Sequence, residues 1–118
     1  MNYEYAIANP VVIDGDTVDV DIDLGFDVWL HKQRIRLYGI DAPETRTRNL
    51  EEKAAGLKAK EYVQDIFDQN ECRLLSLEYN RGKFGRILGT FLYADGTRNL
   101  NQDMLDLGLA DAYFGGKR

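Results

Sequence analysis

Residues 36–45 read Arg-Leu-Tyr-Gly-Ile-Asp-Ala-Pro-Glu-Thr, placing two carboxylates directly behind an arginine-bearing run. In that run Ile35 and Leu37 alternate with Arg34 and Arg36, the pattern of a strand with one buried face. Gly39 breaks it. Asp41 and Glu44 follow on a short loop stiffened by Pro43, which fixes its own φ and biases Ala42 toward an extended conformation. Guanidinium groups suit a phosphate, and carboxylates suit a metal ion or a general base. The stretch therefore points to phosphate chemistry. A polar strand-to-helix connection with incidental charges would read the same way over ten residues, so the rest of the chain has to discriminate.

The elements that must position these groups can be read from periodicity. Residues 3–13 have strand composition interrupted at Asn9-Pro10, which predicts an edge strand or two short pieces. Asp14-Gly15 is a tight-turn dipeptide. From there Val18, Val20, Ile22 and Leu24 alternate with Thr17, Asp19, Asp21 and Asp23, a strand with one buried face. Asp16 shares the parity of the apolar side and is expected to point inward, which is costly unless it is paired or holds a cation. The other acids are expected to form a solvated face protecting an edge. Val28-Trp29-Leu30 reads as a short apolar piece before a strand over 33–38, with Trp29 covering an open end of the core. His31, the sole histidine, reads as a surface residue.

Asn49 followed by Glu52 is a capping box, and Ala55, Ala59, Tyr62, Val63, Ile66 and Phe67 recur at helical spacing until Asn70. Residues 72–79 and 86–93 read as strands, joined by a glycine-bearing basic turn that contains Lys83. Asn99 and Gln102 form a weaker capping box for a short helix stopped by Gly108, and residues 110–114 are apolar enough to dock. Five short strands with one long and one short helix predict an α+β fold, a small closed barrel with helices packed on it. The 118 residues fit one domain spanning 1–118.

Composition narrows the functional classes. Cys72 is the only cysteine, so no internal disulfide is possible, and its place at the start of a strand-like run suits a small half-buried hydrophobe better than a nucleophile. No apolar run approaches the roughly 18 residues of a membrane helix, and the N-terminus has no basic segment followed by an apolar one. The expectation is a cytoplasmic chain with no membrane partner. A net charge of −5 works against non-specific binding to nucleic acid. The charges are unevenly spread, however, with Arg34, Arg36, Arg46, Arg48, Arg81, Lys83 and Arg86 bracketing the acids of the central loop.

Three patches in series, Asp14-Gly15-Asp16-Thr17, Arg36 with Asp41-Ala42-Pro43-Glu44-Thr45, and Lys83-Phe84-Gly85-Arg86, resemble the staphylococcal nuclease (thermonuclease) family. The resemblance runs from about Val11 to Tyr113 and includes the Tyr-Ala-Asp-Gly turn at 93–96. It implies a five-stranded oligonucleotide/oligosaccharide-binding (OB-fold) barrel and a calcium-dependent endonuclease that hydrolyses DNA or RNA and leaves 3′-phosphate ends. On the matching positions, Asp16, Asp41 and the main-chain carbonyl of Ala42 would hold the calcium ion. Glu44 would be the general base, Arg36 and Arg86 would face the scissile phosphate, and Lys83 and Tyr113 would contact a terminal phosphate. The chain departs from the family pattern at Ala42, usually threonine, at Phe84, usually tyrosine, and at Gly115, where a second tyrosine is usual.

The residue chemistry agrees. An all-oxygen donor set suits a hard cation, and the lack of usable cysteine or histidine argues against zinc. Two other classes compete: a non-catalytic nucleic-acid or protein-binding barrel module, and a scaffold using Val28-Trp29-Leu30. The presence of all five expected side chains, Asp16, Arg36, Asp41, Glu44 and Arg86, favours the enzyme.

Overall fold

A computed structural model describes residues 3–80 and 86–113. In chain order the elements are β1 (Tyr3–Asp14), β2 (Thr17–Asp23), β3 (Trp29–Leu37), β4 (Ile40–Asp41), α1 (Leu50–Gln69), β5 (Arg73–Asn80), β6 (Arg86–Tyr93), β7 (Arg98–Asn99), α2 (Leu100–Asp106) and β8 (Asp111–Ala112). The strands pair in the order β3-β2-β1-β5-β6, and a parallel pairing of β3 with β6 closes them into a five-stranded barrel. This is the expected α+β barrel with one long and one short helix.

Alternation explains the core. Val18, Val20, Ile35, Leu37, Leu74 and Phe91 are fully buried inside the barrel walls, each contributing roughly 1.5–3 kcal/mol by leaving water. Val63 of α1 and Leu100 and Met104 of α2 seal it from outside. Phe67 packs edge-on against Phe91 at a centroid distance of 4.9 Å, joining α1 to the core. Both N-caps form, Asn49 accepting from the Glu52 amide at 3.0 Å and Asn99 from the Gln102 amide at 3.2 Å. The return half of neither capping box is made: the Asn49 amide donates to Thr47 Oγ1 and the Gln102 side chain to Asp106. After α2, Gly108 takes a φ of +71°.

Several expectations are corrected. β1 is one strand and is not at an edge. Its first part, through Ala6, pairs with β5 and its remainder, from Ile7, with β2. Within the β2 pairing the register shifts at a bulge over Asn9-Pro10, where Asn9 has φ 53° and proline needs no ladder donor. β2 is likewise internal, lying between β1 and β3. Its outward acids therefore guard no edge, and they hold neighbours instead. Asp19 takes a bidentate contact from Arg34, and Asp21 accepts from Asn9 and from the Lys32 amide, with His31 at 3.4 Å. The Asn9 and Lys32 bonds hold the Asp21 carboxyl below its usual range. The short apolar piece around Trp29 belongs to β3, and Leu30 rather than Trp29 lines the apolar mouth of the barrel. His31 is exposed, as expected. Cys72 is buried, and that burial pushes its thiol up to about 11.

Candidate active site

The β1–β2 turn, the end of β3, β4 and the start of β6 meet at one mouth of the barrel. Thr17 pairs with Arg36 in the β2–β3 ladder, and the Leu37 amide donates to the Asp16 carbonyl at 2.8 Å. That register sets Asp16 beside the Arg36 side chain, although twenty residues separate them. β6 runs parallel to β3, with Ile35 opposite Ile87, so Arg86 enters the same mouth from the next strand. Asp14, Asp16, Thr17, Arg36, Asp41, Ala42, Pro43, Glu44 and Arg86 line a single pocket of about 190 Å³. Five residues singled out from sequence for the chemistry, Asp16, Arg36, Asp41, Glu44 and Arg86, are thus brought together, with Ala42 beside them.

Arg36 is the hub of this pocket. Its Nη1 donates to the carbonyls of Leu37 (3.1 Å) and Ile40 (2.8 Å), clamping the turn at Gly39. Its Nη2 lies 3.3 Å from Asp41 Oδ1 and 3.6 Å from Asp16 Oδ2. The three side chains are only 13–16% exposed. The cost of placing two carboxylates side by side is thus offset by a shared guanidinium, with Asp16 also accepting from the Ala42 amide at 3.0 Å and from Thr17 at 3.0 Å. Asp14, the neighbouring acid, accepts a short bond of 2.6 Å from Thr45. These bonds tie the β1–β2 turn to the loop that carries Glu44, whose own side chain is exposed at the pocket rim.

Two features that hold the loop were not anticipated. The first is β8, which pairs Asp111 with Asp41 and Ala112 with Ile40, while the Tyr113 amide donates to the Gly39 carbonyl at 2.8 Å. Residues 111–113 therefore brace β4, and Tyr113 sits beside Gly39 rather than among the pocket-lining residues. The second is Gly56. The helical stripe included Ala55, yet Ala55 is exposed and Gly56 is buried. A Cβ at Gly56 would lie 2.6 Å from the Glu44 carbonyl oxygen and 2.8 Å from that of Pro43. Gly15 is tight in the same way, since a Cβ there would lie 2.7 Å from Ala59 and 3.0 Å from Ala42. Small residues thus let α1 press both site loops against the barrel. A stripe scored for apolar residues passes over glycine, and the exposed Ala55 took its place. Lys83 and the rest of the basic turn lie outside the described residues.

The donor chemistry fits a hard cation. Four carboxylates (Asp14, Asp16, Asp41, Glu44) line the pocket against two guanidiniums (Arg36, Arg86), a formal charge of −2. Asp41 Oδ2 is buried there. Among the described residues no group of three or more acidic, histidine or cysteine side chains is gathered for a metal, so an ion at Asp16 and Asp41 would draw its other ligands from the main chain and water.

The fold and pocket define a class, a closed five-stranded barrel with two packed helices and an acid–arginine pocket at one mouth. Residues 34–118 match the family described as staphylococcal nuclease homologue, and the chain belongs to it. It is 35% identical over 106 residues to a thermonuclease of Staphylococcus intermedius and 30% identical over 103 residues to one of Staphylococcus hyicus. Each match takes in 87% of this chain and 56% of the relative. A third relative, the protein named ParB of Escherichia coli, is 33% identical over 111 residues, covering 86% of this chain and 54% of that protein. The chain spans about half the length of these relatives.

Proposed function

We propose that this chain is a calcium-dependent endonuclease that hydrolyses phosphodiester bonds of DNA or RNA and leaves 3′-phosphate ends. The observation that carries the reading is the convergence of Asp16, Arg36, Asp41, Glu44 and Arg86 on one small pocket. A phosphate entering a site of formal charge −2 is repelled, so the site needs a cation before it can take its substrate. Asp16, Asp41 and the Ala42 carbonyl would hold that cation, which when bound would polarise a phosphoryl oxygen. Glu44 removes a proton from the attacking water as the new P–O bond forms. The bond from phosphorus to the 5′-oxygen breaks, its electron pair leaves on that oxygen, and solvent supplies the proton. Arg36 and Arg86 offset the charge that accumulates on the phosphoryl oxygens in the transition state. Arg36 also keeps the two metal-binding carboxylates in place when no cation is bound.

The test is hydrolysis of single-stranded DNA and of RNA with calcium and then with excess chelator. Cleavage that requires calcium and yields 3′-phosphate ends supports the reading. Binding of polynucleotide without cleavage under either condition would leave the non-catalytic module instead.

A further inference from the structure

We propose that a groove beside the pocket, lined by Ile13, Asp14, Thr17, Arg34, Arg46 and Arg86, is the subsite for the polynucleotide phosphate next to the scissile one. This deepens the nuclease reading and rests on it. The first argument is size. The pocket of about 190 Å³ is smaller than the roughly 300–1,000 Å³ of typical small-molecule sites, so it takes a phosphate and little more. The rest of the substrate must continue outside it. The groove, at about 470 Å³, shares Asp14, Thr17 and Arg86 with the pocket, so the two are continuous.

The second argument is charge. The groove sets three arginines against Asp14, a formal +2, immediately beside a pocket of −2 and in a chain of net −5. The arginines come from three different segments: β3, the loop after β4, and β6. Arg34 and Arg86 each precede the first rung of the β3–β6 ladder, Ile35 opposite Ile87.

The third argument is how Arg34 is held. Asp19 engages its Nε at 2.9 Å and its Nη2 at 3.1 Å, which fixes the guanidinium plane and raises its proton affinity but cancels much of its charge. Asp19 is therefore a brake on this subsite, and Arg46 is the cation with most to contribute.

The experiment compares a fluorescein-labelled single-stranded hexanucleotide with a dinucleotide whose only internucleotide phosphate is the scissile one. Binding is read by anisotropy in calcium on the Glu44→Gln background, and kcat and KM are read on the unmodified background. Arg46→Ala should weaken hexanucleotide binding about 5- to 10-fold and lower the salt slope by about one, leaving the dinucleotide within about 2-fold. Asp19→Asn, which frees the charge of Arg34, should tighten the hexanucleotide about 2- to 5-fold. An unchanged hexanucleotide affinity in Arg46→Ala, or an equal loss for both ligands, overturns the subsite. Weaker hexanucleotide binding by a folded Asp19→Asn protein overturns the brake. If the parent chain cleaves nothing, the nuclease reading fails, and the anisotropy comparison still decides whether the groove binds a phosphate.

Discussion

At one end of β2 and β3, Asp16, Thr17 and Arg36 face a polar pocket; at the other, Ile22, Leu24 and Leu30 line an apolar one of about 450 Å³. The same two strands build both. At the polar end Arg36 and Asp16 make bonds that cross from strand to turn to loop, and α1 presses its smallest residues against them. At the apolar end the tip of the β2–β3 hairpin projects freely. Phe26 there is fully exposed, and both Phe26 and Asp27 have positive φ. The proposed chemistry needs groups held within tenths of an ångström, and the bracing sits where the acids are. The difference can be broken or sharpened by substitution.

The largest effect belongs to Glu44. Glu44→Gln keeps the shape and removes the proposed base, so turnover should fall by roughly 10²–10⁴-fold while binding of polynucleotide stays nearly intact. A loss confined to KM would remove Glu44 from the chemical step. Gly56→Ala comes next. Alanine gains about 1 kcal/mol over glycine in helix propensity, but the new Cβ meets the backbone of residues 43 and 44, which cannot swing aside as a flexible side chain would. The loop must move. A shift of a few tenths of an ångström to 1 Å should lower kcat by about 10- to 100-fold, with KM changed much less. Gly56→Ser should behave alike, whereas Ala55→Ser, on the exposed face, should not. Full activity in Gly56→Ala would show that α1 does not set the position of Glu44.

How far this arrangement could be read from sequence depends on the range of the interaction. Alternation in β2 and the two N-caps are local, and the structure follows them closely. The five pocket residues were legible because three short patches in series resemble a known family, where no single patch would have sufficed. The sharing of Arg36 between Asp16 and Asp41 was not, because it depends on the β2–β3 register. β8 escaped for a related reason, since a two-residue strand carries no period. Gly56 escaped because the value of a glycine lies in what approaches it, and that is decided by tertiary packing.

Asp16 offers a medium-sized effect at the polar end. Calcium should raise the melting temperature of the parent chain, since an ion bound only by the folded state stabilises it by about 2.7 kcal/mol at one hundred times its dissociation constant. Asp16→Asn should lose most of that increment. It also leaves Arg36 with one acid instead of two, so the calcium-free protein need not be more stable for losing the charge. The readout is the calcium-induced shift, not the absolute melting temperature. An undiminished shift in Asp16→Asn would place the ion elsewhere.

The smallest effect is expected at the apolar end. Leu30 is 38% exposed and lies opposite Ile22 in the ladder, at the rim of the apolar pocket. Glutamine has nearly the same volume, and at such a rim its amide can reach water, so no buried polar group is left without a partner. Leu30→Gln should therefore cost no more than about 1 kcal/mol of stability, because only part of the side chain was removed from water. Its kcat and KM should stay within about 2-fold, because Arg36, the residue of β3 that lines the polar pocket, is held by the Leu37 and Ile40 carbonyls at the far end of β3. Denaturant unfolding and nuclease assays on the same preparation check both halves. A drop in kcat without a matching loss of stability would show that strain travels along β3, and the two ends would then have to be treated as one mechanical unit.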